Sequence, residues 1–208
     1  MSKQLELWRS DFGWQYTARN NNRITPEDQR RLVRDWGKIL AHAVTPHPES
    51  ALEVGCSIGR NLGALRHFIP RIHGIDPNVK AVETASEMLA GSGVAVQEAT
   101  AFDLPFDDRS FDLVFTSGVL IHIDPDDLSR ATDEIMRVSK HYIVCIEYFS
   151  HTPEKIPYHG REGYLFKRDF GKFYLDQYPG LKVLDYGFLW QPLDSSDNSN
   201  WWLFGKRS

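Results

Sequence analysis

The residues whose types and spacing can do chemistry most directly are Leu52-Glu53-Val54-Gly55-Cys56-Ser57-Ile58-Gly59-Arg60. Gly55 and Gly59 can take backbone conformations that a side chain forbids, and small residues at 55, 57 and 59 let the main chain approach a ligand closely. A turn of this kind, after an apolar run and before a helical pattern, predicts a nucleotide-type ligand. A dinucleotide fingerprint needs G-x-G-x-x-G to cradle a pyrophosphate, and this turn reads G-x-S-x-G. Behind it stands Glu53, a carboxylate that repels phosphates and suits a cation. Asn61, in the first turn of the following helix, is grouped with this loop.

A nucleoside bearing a cationic amine is S-adenosylmethionine (SAM), which leaves S-adenosylhomocysteine as its product. Ile75-Asp76-Pro77 ends the next apolar run. Asp76 there either receives the two ribose hydroxyls in charge-assisted hydrogen bonds or caps the next helix. Thr100, Ala101 and Phe102 follow the third strand pattern; their backbone groups are expected at the adenine edge, with the Phe102 ring over its face or in the core. Ser117 and Gly118 close the fourth strand, where Gly118 permits close approach. His122, nearby, titrates closest to neutral pH. It either takes a proton from an alcohol nucleophile or orients the acceptor by hydrogen bonding. No metal site is expected, because Cys56 and Cys145 lie far apart without ligand spacing and read as reduced core thiols.

The elements that must position these residues alternate. Apolar runs near 51–55, 71–76, 94–98, 111–116 and 141–148 read as strands, the last two apolar enough to be covered on both faces. Helices are predicted over 60–68, 78–89 and 125–139, the last started by Asp124 before Pro125. A further helix over 167–177 precedes two terminal strands at 181–190 and 201–204, with 195–200 as a loop. Trp190, Trp201 and Trp202 read as edge-strand packing. This is an α/β pattern, a doubly wound sheet with an antiparallel edge hairpin. One domain is expected over 1–208, with a helical cap in 1–45 and a substrate-side insertion in 150–175.

Composition narrows the partners. The chain has 208 residues, 41% of them hydrophobic, and a formal charge of −4 with an isoelectric point near 6.1. No basic field grips a phosphate backbone, so a small-molecule substrate is favoured over nucleic acid. There is neither an N-terminal apolar signal region nor a run of about 18 apolar residues, so a cytosolic protein without membrane contact is expected. Oligomeric state is not legible.

Leu52-Glu-Val-Gly-Cys-Ser-Ile-Gly59, Asp76, Leu104-Pro-Phe106 and Phe111-Asp-Leu-Val114 together resemble class I SAM-dependent methyltransferases. The wider pattern is similar to the pseudaminic acid biosynthesis-associated methylases. It takes in Phe12-Gly13, Tyr16, Arg19 and Asn20, then Gly118-Val-Leu-Ile-His122, Ile156-Pro-Tyr158, Leu165-Phe-Lys-Arg-Asp-Phe170 and Asp185-Tyr-Gly-Phe188. The resemblance implies a seven-stranded, mostly parallel sheet, SAM as donor, and a sugar or small acid as acceptor. Thr100 stands where the class commonly has Asp.

Phe12, Tyr16, Arg19 and Asn20 fall on one helical face, spaced i, i+4, i+7, i+8. They form either a lid over the cofactor, with Arg19 on its carboxylate, or a packed and solvated helix. Tyr148, grouped with His122 as a catalytic candidate, opens a stretch broken by Pro and Gly in which Tyr158, His159, Arg161, Lys167 and Arg168 suit an anionic or hydroxylated acceptor. Lys167 and Arg168 fit a solvated helix face equally well. O-methylation is the leading expectation, followed by N-methylation of a small amine or amino sugar. An NAD-linked oxidoreductase and a noncatalytic SAM-binding module are the remaining alternatives.

Overall fold

The computed structural model describes residues 2–21, 25–194 and 197–207, without the side chains of 20 and 21. Among these residues, seven strands form one sheet: β1 Ser50–Val54, β2 Arg71–Asp76, β3 Ala95–Glu98, β4 Phe111–Ser117, β5 Ser139–Glu147, β8 Leu181–Leu189 and β9 Ser199–Lys206. Their order is β3-β2-β1-β4-β5-β9-β8. The first five are parallel, and β9 and β8 add an antiparallel edge. This is the doubly wound, mostly parallel architecture that the alternation predicts.

All five residues of β1 are buried, and so are five of the seven in β4, as expected of strands covered on both faces. One face is covered by α3 (Pro26–Ile39) and α4 (Arg60–Leu65), where the Trp36 ring meets Phe115 edge-on at 4.6 Å. The other carries α6 (Leu128–Val138) and α7 (Phe170–Gln177), which bury Ile135, Val138, Phe170 and Tyr174. Helix α5 spans Val79–Met88. Two short helices, α1 (Lys3–Arg9) and α2 (Asp11–Asn21), lie over the C-terminal ends of the central strands. Among the described residues no helix is long and apolar enough to cross a membrane.

Several boundaries differ from the sequence reading. The chain does not enter α6 at Pro125: Asp124 accepts the Asp127 amide through its carbonyl (2.9 Å) and the Asp126 amide through Oδ1 (3.2 Å). That closes a turn through Pro125, and the helix starts only at Leu128. Helix α7 starts at Phe170, because Asp169 accepts the Lys172 amide (2.8 Å) as its N-cap. Lys167 belongs instead to a hairpin, β6 (Glu154–Tyr158) with β7 (Arg161–Lys167), which occupies most of the segment read as an insertion. Its two-residue turn has φ of 47° at His159 and 74° at Gly160, the primed geometry that matches strand twist. Ser199 and Asn200 are in β9 rather than a loop, whereas Ser195 and Ser196 lie outside the described residues. Trp201 and Trp202 are buried, but Trp190 is 55% exposed beside Tyr186 and Phe188 on the outer edge.

Candidate functional site

A crevice runs along the C-terminal ends of β1, β2 and β4, under α1 and α2, and opens toward β5, the β6–β7 hairpin and the β8–β9 loop. Its floor is the turn after β1. The Gly55 and Cys56 amides both donate to the Ile75 carbonyl at 2.8 Å, which draws the turn against the end of β2. Gly55 has φ 78°, and a Cβ there would stand 2.5 Å from Val119 Cγ2, so both backbone shape and space demand glycine. Ser57 follows with φ 48°. Gly59 has a different part: with φ 76° it is the N-cap of α4, and its missing Cβ leaves room for Leu89. It is not among the residues that line the crevice.

Asp76 accepts the Ser57 amide on Oδ2 (2.8 Å) and the Asn78 amide on Oδ1 (2.9 Å). Burial raises its pKa to about 6 despite these two bonds. The cap of α5 is Asn78, whose side chain accepts the Ala81 amide (3.2 Å), so Asp76 keeps its remaining lone pairs toward the crevice that it lines with Pro77. Thr100, Ala101 and Phe102 line the same end. The Thr100 hydroxyl accepts the Phe102 amide (3.3 Å), and the Arg130 guanidinium lies 5.0 Å over the Phe102 ring.

At the other end is Glu53, 2% exposed. Oε1 accepts Asn61 Nδ2 at 2.7 Å, and Asn61 in turn accepts the Trp36 indole N–H at 3.3 Å. Oε2 is buried with no hydrogen-bond partner. Burial, reinforced by the Asp76 charge, raises the carboxyl to about 8. Oε2 is thus a buried carboxyl oxygen at the crevice with hydrogen-bonding capacity left over. Arg19, at the end of α2, lines this half of the crevice with Glu53 and Asn61. The side chain of Asn20 lies outside the described residues.

Between the two ends stand Ser117, Gly118 and His122. His122 sits in the 3-10 turn Leu120–His122, and its Nδ1 lies 2.7 Å from the Tyr164 carbonyl. A carbonyl only accepts, so Nδ1 carries the proton and Nε2 presents a lone pair. Burial lowers the imidazole to about 4, which keeps it neutral at physiological pH. The turn is held by Glu147, a residue that sequence reasoning missed. Its Oε1 accepts the Val119 and Leu120 amides (3.1 and 3.0 Å), and its Oε2 the Ile121 amide (3.3 Å). The available signal was a lone carboxylate ending the apolar run of β5.

The roof is aromatic. The Trp8 ring lies 5.7 Å from Phe12, 5.2 Å from Tyr16, 4.7 Å from His122 and 6.5 Å from Tyr158. Extending the Phe12–Tyr16 spacing one step back finds Trp8, although the helix is interrupted at Ser10 between α1 and α2. Tyr148 and Tyr158 both line the opening, and burial raises both phenols above their ordinary range. Tyr148 Oη donates to Asp197 Oδ2 at 2.9 Å, a carboxylate unseen in the sequence reading because its loop looked merely polar.

The three cations expected at the acceptor each lie against an aromatic ring. Arg161 lies 5.6 Å over the Phe12 ring, Lys167 5.5 Å over Tyr148 and Arg168 4.5 Å over Phe173. Each lies over an aromatic ring, and none is among the residues that line the crevice.

Residues 52–146 match the methyltransferase domain family. A protein of Haemophilus influenzae is 28% identical over 138 residues, which is 64% of this chain and 53% of that one. The O-methyltransferase resE of Aspergillus sclerotiorum is 34% identical over 115 residues, 52% of this chain and 41% of that one. The chain thus spans about half or less of the length of these curated relatives. Among solved structures, 1,6-didemethyltoxoflavin-N1-methyltransferase of Burkholderia thailandensis, holding 1,6-didemethyltoxoflavin and S-adenosylhomocysteine, superposes with a TM-score of 0.73. It is 16% identical, with 100% of this chain and 92% of that one covered, a likeness of fold. The match over residues 52–146 is to a methyltransferase domain, and the sheet around it has the fold of that S-adenosylhomocysteine-bound methyltransferase.

Proposed function

We propose that this protein transfers the methyl group of SAM to a hydroxyl of a small polar metabolite, a sugar or small acid. The observation that carries the reading is the pairing of Asp76 at one end of the crevice with the unpartnered Glu53 Oε2 at the other. Asp76 offers lone pairs to ribose hydroxyls, the Thr100–Phe102 loop offers backbone and a ring to adenine, and Glu53 offers an anion to the methionyl ammonium. Arg19 is the cation for the carboxylate. When bound, SAM supplies a methyl on a sulfonium that is itself a good leaving group, so positioning the nucleophile accounts for much of the rate.

His122 does that positioning. Its neutral Nε2 accepts a hydrogen bond from a hydroxyl, and with a pKa near 4 it orients a nucleophile better than it removes a proton. Trp8, Tyr16 and Tyr158 exclude water around it. A sugar acceptor rests on the likeness to the pseudaminic acid biosynthesis-associated methylases and on phenols at the opening. The charge of −4 and this aromatic opening favour a small molecule over nucleic acid, and the two free, buried thiols fit the cytosol. A second reading, methylation of an amine, gains from Asp197 at the opening, an anion where cations had been expected.

The test is incubation with methyl-labelled SAM and a panel of hexoses, amino sugars and sugar acids, with the methyl located by tandem mass spectrometry. Label on a hydroxyl supports the proposal, and label on nitrogen selects the second reading. Binding of S-adenosylhomocysteine without label in any acceptor class points to a noncatalytic module.

A further inference from the structure

The two walls of the crevice come from chain segments some 150 residues apart, and one buried side chain joins them. Gln4, in α1, is 3% exposed. Its Nε2 donates to the Gly163 carbonyl of the hairpin at 3.0 Å and to Asp124 Oδ2, just beyond His122, at 3.1 Å. Both donors of one amide are thus spent on the acceptor side, while α1 itself roofs the cofactor side through Leu5 and Trp8. Weaker contacts follow the same seam: Lys3 lies 5.6 Å over the Tyr164 ring, and Tyr164 carries the carbonyl that fixes His122.

We propose that Gln4 is a positioning residue that couples the cofactor roof to the acceptor wall, so that filling the cofactor half builds the acceptor half. The inference rests on the reading of the crevice as a SAM site. A ligand the size of SAM enters past α1, and with α1 lifted the Gln4 amide leaves both Gly163 and Asp124. The hairpin then loses its buried donor, and Tyr158 loses the Trp8 ring beside it. Closure of α1 and α2 on the ligand restores both. Coupling of this kind is reciprocal, so an acceptor held by the hairpin also tightens the cofactor. Binding is then ordered, cofactor first.

Hydrogen exchange of the whole protein with and without saturating S-adenosylhomocysteine reads the coupling without an acceptor. In the wild type, exchange is expected to slow about tenfold in α1 and α2 and also in amides of 156–167, the range typical of coupled sites. Gln4→Glu keeps the shape of the side chain but removes its donors. It is expected to retain protection of the turn after β1 while protection of the hairpin falls to about twofold or less. Gln4→Ala should behave as Gln4→Glu does; a packing role alone would be rescued by Gln4→Glu. Protection confined to α1, α2 and the β1 turn in the wild type overturns the inference and leaves the SAM site standing, as does a Gln4→Glu variant that couples normally. No protection anywhere overturns both.

Discussion

Replacing Glu53 by Gln should change the pH dependence of cofactor binding in a calculable way. With its pKa at about 8, Glu53 is mostly protonated in the ligand-free protein at pH 7. An ammonium against Oε2 requires the carboxylate, so binding expels the proton. At pH 7 about 0.9 proton should be released per S-adenosylhomocysteine bound, with Asp76, near 6, adding about a tenth. Between pH 6.5 and 8 the affinity should rise about fifteenfold, roughly 1.6 kcal/mol. Calorimetry in two buffers of different ionisation enthalpy counts the protons. Glu53→Gln should flatten this profile and bind about tenfold more weakly at pH 8. The ligand-free variant should be the more stable one at pH 8. A carboxyl whose folded pKa is raised from 4.5 to about 8 gives stability that is present below 4.5 and lost as pH climbs through 8. The neutral isostere avoids that loss, a gain of about 1–3 kcal/mol. No proton release, together with a flat affinity profile in the wild type, would refute the assignment of Glu53 to a cation.

Gly55→Ala should cost about 2–4 kcal/mol and abolish S-adenosylhomocysteine binding, from a positive φ and the 2.5 Å approach to Val119; Val119→Ala added to it should recover about 1 kcal/mol in a thermal melt. Glu147→Ala strands three amides, two of them buried, so a loss of about 3 kcal/mol, roughly 10 °C in Tm, is expected, with Glu147→Gln less severe. His122, with its pKa lowered to about 4, should leave no limb near 6.5 in the kcat/KM profile. His122→Asn should lower kcat about 10–100-fold, and a limb near 6.5 that this variant removed would show His122 acting as the base.

The parallel half of the sheet was legible because fully covered strands such as Phe111–Phe115 write themselves as apolar runs, and the β1 turn because few residues other than glycine take a φ of 78°. Asp76 was legible from its place at a strand end, but the choice between ribose acceptor and helix cap was not. That depended on Asn78 being better placed to take the Ala81 amide. The hairpin was hidden because Pro153, Pro157, Gly160 and Gly163 read as a loop; the signal lay in the two-residue turn His159-Gly160. The positions of the cations were hidden for a different reason. A long side chain near aromatic rings ends where its stem packs, and that destination is set by the fold rather than by the residue's neighbours in sequence.

A crystal structure of the complex with S-adenosylhomocysteine tests the central claim most directly. The account predicts the ribose hydroxyls on Asp76, the adenine along Thr100–Phe102 and the amino group within about 3 Å of Glu53 Oε2. Ligand density outside this crevice, or an amino group turned away from a Glu53 that stays unpaired, would contradict it.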